Sequence, residues 1–272
     1  MRRHLLAFAL AAALAFFLAA CGGNGGGDGE EAGGEDGEEN GSVEGRQVTV
    51  ASDIAYRPFE FTEGGEPTGF DIDLMNEISE RAGFEVEYQN VGFDGIVQGL
   101  GTGLYEVAIS AMTITPERAE QVDFSEPYFN ADQSLLVQSG SDIQSTDDLA
   151  EANVGVQIGT TGASETESLQ EEGQVAEVTT YDTVEDAFTA LENGQVDAVI
   201  NDFPVSADRV ETTGDDLEIV ETIPTGEQYG IAFPQDSELT EPVNEALAEI
   251  KEDGTYAEIF EEWFGQEPEE IP

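Results

Sequence analysis

Positive charge is almost absent from this chain. Its 272 residues hold 8 lysines and arginines against 60 aspartates and glutamates. Arg2 and Arg3 sit at the extreme N-terminus, so from residue 22 onward six cations face all 60 acids, a formal charge of −54. Such a surface repels polyanions and excludes a general nucleic-acid-binding role. Histidine and cysteine occur once each, as His4 and Cys21. Histidine-metal, Ser-His-Asp and Cys-His chemistry are therefore missing beyond the leader. A single cysteine also excludes an internal disulfide. Acid–base work by carboxylates is the enzymatic chemistry that remains. Yet 39% of the residues are hydrophobic and many recur periodically, unlike an acidic disordered polymer. At molar salt the Debye length is about 3 Å, so a folded protein tolerates this coat. The composition points to an exported protein of a halophile.

The N-terminal segment supports export. Arg2, Arg3 and His4 precede an apolar run from Leu5 to Phe17, then Leu18-Ala19-Ala20-Cys21. This is a secretory signal, short for a membrane span. Its last four residues resemble the lipobox of bacterial lipoproteins. That resemblance implies cleavage before Cys21, lipid on its sulfur, and membrane attachment through the lipid alone. Residues 22–45 are glycine, acids and asparagine with little apolar content, and read as a flexible tether.

Beyond the tether there is enough chain for one large domain or two modest ones. Alternation predicts a strand over 47–51, a helix over 69–82, a strand over 85–88, a helix over 93–100 and a buried strand over 107–109. A strand over 134–137 follows. A second series begins near 145, with a short helix over 147–150, a strand over 154–157 and a helix over 165–170. Strand 177–180, helix 182–191 and strand 197–200 complete it. A strand over 229–233 and a helical stretch over 239–264, broken at Gly254, close the chain. The order predicts α/β layers with mostly parallel sheets.

Residues 110–118, Ser-Ala-Met-Thr-Ile-Thr-Pro-Glu-Arg, follow the buried strand. They offer hydroxyls and backbone amides at a strand end, then one arginine. An arginine fork beside hydroxyls suits a carboxylate; a surface ion pair with Glu117, Glu120 or Asp123 is the plain alternative. An internal echo adds to this. Residues 93–110 and 184–201 both read as helix, glycine turn and buried strand, with Gly103 matching Gly194 and Ser110 matching Asn201. Two such units suggest two similar lobes, whose strand ends would face each other.

Gly69-Phe70-Asp71-Ile72-Asp73-Leu74 is similar to the signature of family 3 extracellular solute-binding proteins, the amino-acid receptors of ABC importers. Ser79 departs from it, where a small apolar residue is usual. Residues 110–118, Phe124-Ser125-Glu126-Pro127-Tyr128, Gly159-Thr160-Thr161-Gly162 and residues 197–202 resemble the same family. The likeness covers residues 46–265. It implies a two-lobed, type II periplasmic-binding-protein-like α/β fold, with lobe 1 at 46–130 plus 227–272 and lobe 2 at 131–226. Two hinge strands, near 134–137 and 228–231, would join them. Carried over by motif, Arg118 would grip a ligand α-carboxylate and Asp202 the α-ammonium. Ser110, Ala111, Thr113 and Thr161 would bind the backbone groups, and Tyr56 and Phe93 would sandwich the ligand. Asp53 and Gln157, with Asn201 nearby, would face its side chain. Phe93 as core, Asp202 as a helix cap and Thr160 as a helix cap are the structural alternatives. The implied function is binding of a free amino acid, polar or basic, by a monomer that delivers it to a permease. No cofactor, metal or nucleic acid is expected. A carboxylate-based dehydratase-like enzyme and a ligand-sensing lipoprotein are the alternatives.

Overall fold

The computed structural model describes residues 43–272. The signal, Cys21 and residues 22–42 of the tether lie outside the described residues. In chain order come β1 (Gln47–Ser52), the hairpin β2 (Phe61–Glu63) and β3 (Glu66–Thr68), α1 (Phe70–Ala82), β4 (Glu85–Asn90), α2 (Ile96–Gly101), β5 (Val107–Ala108), α3 (Pro116–Ala119) and β6 (Asp123–Phe124). Then β7 (Phe129–Gln138) leads to β8 (Asn153–Gln157), α4 (Thr161–Glu171), β9 (Glu177–Tyr181), α5 (Val184–Glu192), β10 (Ala198–Asp202) and α6 (Phe203–Thr213). The long β11 (Leu217–Tyr229) returns to β12 (Ala232–Phe233), α7 (Thr240–Asp253) and α8 (Thr255–Phe264).

The strands form two five-stranded sheets, ordered β4-β1-β5-β12-β6 and β11-β7-β10-β8-β9. Each sheet with its helices is one lobe. Of the eight pairings in these two sheets, four are parallel and four antiparallel, so the sheets are mixed rather than mostly parallel. The reason is the crossover. A strand arriving from the other lobe enters its sheet at the cleft end, where the βα strands finish. It must then run against them, as β7 does beside β10 and β12 beside β5.

Local signals explain most elements. In α1, Phe70, Leu74, Met75 and Ile78 are buried at helical spacing, and Gly83 ends the helix in the left-handed region (φ 83°). Gly69 precedes it at φ 132°, where an added Cβ would lie 2.1 Å from the Phe59 carbonyl oxygen. Gly254, also left-handed, separates α7 from α8. The largest apolar cluster runs from Phe59 and Phe70 through the crossing residues Phe129, Ala131 and Tyr229 to Phe188 and Leu191.

Some expectations shift. Residues 93–95 form a 3-10 turn before α2, preceded by Gly92 and ending in Gly95. Strand 229–233 is two strands, since the chain passes from β11 to β12 at Gly230, which packs against Ile114 and Phe124. Most of β11 was not expected from the pattern, and α6 entered only as the helix that Asp202 was to cap. Residues 134–137 lie inside the second sheet, hydrogen-bonded to β10 and β11 on both sides. The crossing itself is earlier, where Phe129, Asn130 and Ala131 pair with Tyr229, Gln228 and Glu227.

Candidate functional site

Between the lobes lies a narrow cavity lined by side chains of both. The first sheet supplies its wall from strand ends. Asp53 follows β1 and Ser110 follows β5, while Arg118 comes from α3. Thr115 caps α3, accepting from the Arg118 N–H, and Pro116 fills the first turn. The second sheet answers with Gln157 at the end of β8, Thr161 opening α4, and Asn201 and Asp202 closing β10. Thr160 does cap α4, accepting from Ala163 N–H at 3.1 Å.

Ten of the eleven candidate residues line the cavity: Asp53, Tyr56, Phe93, Ser110, Ala111, Thr113, Arg118, Gln157, Thr161 and Asp202. Asn201 stands just behind, its side-chain oxygen 3.0 Å from the Tyr56 hydroxyl. Asp202 does not cap α6, whose N-terminus receives no side-chain cap bond. Its carboxylate instead accepts from Tyr56 (2.8 Å), Tyr229 and Gln133. Phe93 is half-buried, packed against the Ile96 and Leu100 cluster, with the Arg118 guanidinium 5.2 Å above its ring.

Arg118 forms none of the described ion pairs. It donates to the carbonyls of Thr113 (2.6 Å) and, across the cleft, Gly159 (3.0 Å). Burial lowers its pKa, and Asp202 and Glu227 oppose that by favouring its charge. A guanidinium has five N–H donors, so most of its fork stays available to an anion. At the other end Gln157 donates to Asp53 (2.6 Å), and burial pushes the Asp53 carboxyl up to about 6. Burial does the same to Asp202, also to about 6.

Several participants were not foreseen. Glu60 lines the cavity and accepts from the Ser110 hydroxyl at 2.8 Å. Behind it Asp71 accepts from the Ala111 N–H (2.8 Å) and the Tyr128 hydroxyl (2.7 Å). Ala111 sits at φ 44°, a strained value for a residue with a Cβ, and Asp71 holds it there. Burial, with Asp71 beside it, drives Glu60 well above the ordinary carboxylate range. Glu60 Oε2 and Asp71 Oδ1 have no other partner, so one proton shared between the two acids satisfies both. Glu227 accepts from the hydroxyls of Thr113 (2.8 Å) and Thr161 (2.9 Å). Among 60 acids nothing in the pattern marked Glu60 or Glu227. Asp71 lay inside the quoted signature, but its role did not show.

Comparison with known proteins finds relatives over most of the chain. Residues 48–266 match the family model described as bacterial extracellular solute-binding proteins, family 3. A probable histidine-binding protein of Neisseria gonorrhoeae is 33% identical over 98% of this chain and 97% of its own. Among solved structures, an ancestral arginine-binding protein bound to arginine is 41% identical with a TM-score of 0.77, covering 80% of this chain and 98% of that one. The arginine-, lysine-, histidine-binding protein ArtJ of Geobacillus stearothermophilus is 37% identical, TM-score 0.77, covering 82% and 97%.

Proposed function

Because the chain belongs to the bacterial extracellular solute-binding proteins, family 3, we propose that its cleft captures one basic amino acid outside the cytoplasm and presents it to the permease of an ABC importer. The observation that carries the reading is Arg118. Among the described residues Arg118, like Arg57, forms none of the ion pairs, and of the two it is Arg118 that lines the cavity with Asp202 on its wall. A zwitterion needs such a fixed cation and fixed anion with polar groups between them.

The side-chain preference follows from hydrogen counting. A hydroxyl has one proton to give. Ser110 gives its proton to Glu60, and Thr113 and Thr161 give theirs to Glu227. All three oxygens then offer only lone pairs to a ligand. With Asp53 and Asp202 added, the wall is rich in acceptors and suits a ligand rich in N–H groups. The relatives named for arginine, lysine and histidine fit that expectation, with glutamine as the neutral runner-up.

Lipid attachment at Cys21, action as a monomer and lobe boundaries near 130 and 227 belong to the same proposal. Replacing Cys21 with serine should release the protein from the membrane, since stable anchoring takes more than one acyl chain. Turnover of a prephenate-like acid by the purified protein would instead support the dehydratase-like alternative. The direct test is an equilibrium titration of all twenty amino acids. Arginine, lysine or histidine should bind most tightly, and Asp53→Asn should weaken them more than it weakens glutamine. Tightest binding of glutamate, aspartate or an apolar amino acid would overturn the assignment.

A further inference from the structure

We propose that Glu227 is a positioning residue that latches the two lobes together through Thr113 and Thr161 and fixes those hydroxyls as acceptors toward the ligand. The second half of this rests on the amino-acid-binding reading above. Glu227 belongs to neither wall of the cavity. It lies on β11 at the crossing, opposite Ala131 of β7 and just after a break in strand register between Ile223 and Glu227. One carboxylate oxygen, Oε2, accepts from Thr113 of the first lobe and from Thr161 of the second. Gln133 Nε2, which also donates to Asp202, lies 3.3 Å and 3.5 Å from the two Glu227 oxygens, and the hinge side of Glu227 faces a groove shared with Asn130, Gly226 and Gln228.

This placement has two consequences. Separating the lobes must break at least one of the two hydroxyl bonds, so Glu227 favours the closed form before any ligand arrives. A ligand that needs the closed form then binds with less loss of apparent affinity, because the competent fraction is larger. The second consequence is polarity. With both protons committed to Glu227, the Thr113 and Thr161 oxygens accept from an ammonium and do not donate to a carboxylate, which leaves the ligand carboxylate to Arg118. The two threonines are thus the direct route from Glu227 to the ligand, and its charge also favours the Arg118 guanidinium.

The test uses the full mature chain with one spin label on an exposed position of each lobe, and L-arginine as the probe. Interlobe distances are measured without ligand, and L-arginine affinity by calorimetry. Glu227→Ala should shift the ligand-free distance toward open and weaken L-arginine about tenfold, as for two lost hydrogen bonds. Glu227→Gln keeps one oxygen able to accept from both hydroxyls but loses the charge that strengthens those bonds, and should lose about threefold. In a Thr113→Val/Thr161→Val background, Glu227→Ala should change affinity by clearly less than tenfold, the remainder being its charge acting on Arg118. An unchanged ligand-free distance in Glu227→Ala, or a full tenfold loss that persists in the double-valine background, overturns the proposal. If the alanine variant does not fold, Glu227→Gln carries the same comparison. If wild-type protein fails to bind L-arginine, the ligand assignment falls, and the ligand-free distances still judge the latch.

Discussion

In the first lobe Ser110 follows β5, the middle strand of its sheet; in the second, Asn201 and Asp202 finish β10, the middle strand of the other. Each strand comes after a helix and a left-handed glycine, Gly103 at φ 71° and Gly194 at φ 68°. The end of β1 gives Asp53 and the end of β8 gives Gln157, and these two meet across the cleft. The scaffold is therefore repeated, but the support behind it is not. The first lobe backs its wall with its own buried acids, Glu60 behind Ser110 and Asp71 behind Ala111. In the second lobe Asp202 depends on Tyr56 of the first lobe, and on Tyr229 and Gln133 of the crossing strands. The first half of the site is held ready by its own lobe, while the second is completed when the lobes meet.

The largest effects should come from the first lobe's internal support. Gly69→Ala puts a Cβ 2.1 Å from a backbone oxygen at a φ that disfavours side chains, and should cost about 3–5 kcal/mol of stability in denaturant unfolding. The second lobe's tight glycine, Gly162, has milder neighbours, Gln133 Oε1 at 2.9 Å and the Ile200 oxygen at 3.1 Å, so Gly162→Ala should cost about 1–3 kcal/mol. Equal costs would mean that the two lobes are equally rigid at these points.

For binding, Arg118→Ala should cost about 2–5 kcal/mol, as for a buried charge pair with one member removed. Arg118→Lys should recover only part, because it keeps the charge and loses the fork. Both should keep their fold, since Arg118 bonds two carbonyls and forms none of the described ion pairs.

The titration of the buried acids gives a smaller effect with a definite sign. Asp53, Asp71 and Asp202 are each raised to about 6, chiefly by burial. A raised carboxyl pKa means that the folded state holds protons the unfolded chain has released. Their contribution to stability is therefore full below the unfolded value near 4 and is lost as pH rises through about 6. Lowering the pH from 7.5 to 5 should raise the melting temperature of ligand-free protein, by on the order of 1 kcal/mol per group. The same change should weaken binding, because protonated Asp202 no longer opposes an ammonium. A melting temperature that falls over this range would contradict the burial of these acids. The smallest effect belongs to the surface: Arg209, paired with Glu185 and Glu192, should cost at most about 1 kcal/mol when replaced by alanine.

Much of this was legible in the sequence, for reasons that differ by residue. Arg118 stood out because cations are scarce, and Asp202 and Thr161 because short motifs carry them. The strand ends were readable because buried strands and glycine turns leave strong local patterns. Of the two expected hinge strands, 228–231 overlaps the crossing while 134–137 lies past it, since β7 runs on from the crossing into the second sheet and nothing local marks the boundary. Helix α6 showed only as a start near Phe203, because the proline of Phe203-Pro204 marks a first turn as well as a break. Glu60, Gln133 and Glu227 act through partners 50 to 114 residues away, such as Ser110 for Glu60 and Thr113 for Glu227. A pairing of that kind exists only in the fold.

The most direct measurement is a crystal structure of the mature protein grown with L-arginine. The account predicts ligand density between the lobes, with the α-carboxylate on the Arg118 fork, the α-ammonium at Asp202 and the guanidinium pointing to Asp53. Ligand density outside this cleft, or a bound amino acid whose carboxylate lies away from Arg118, would contradict it.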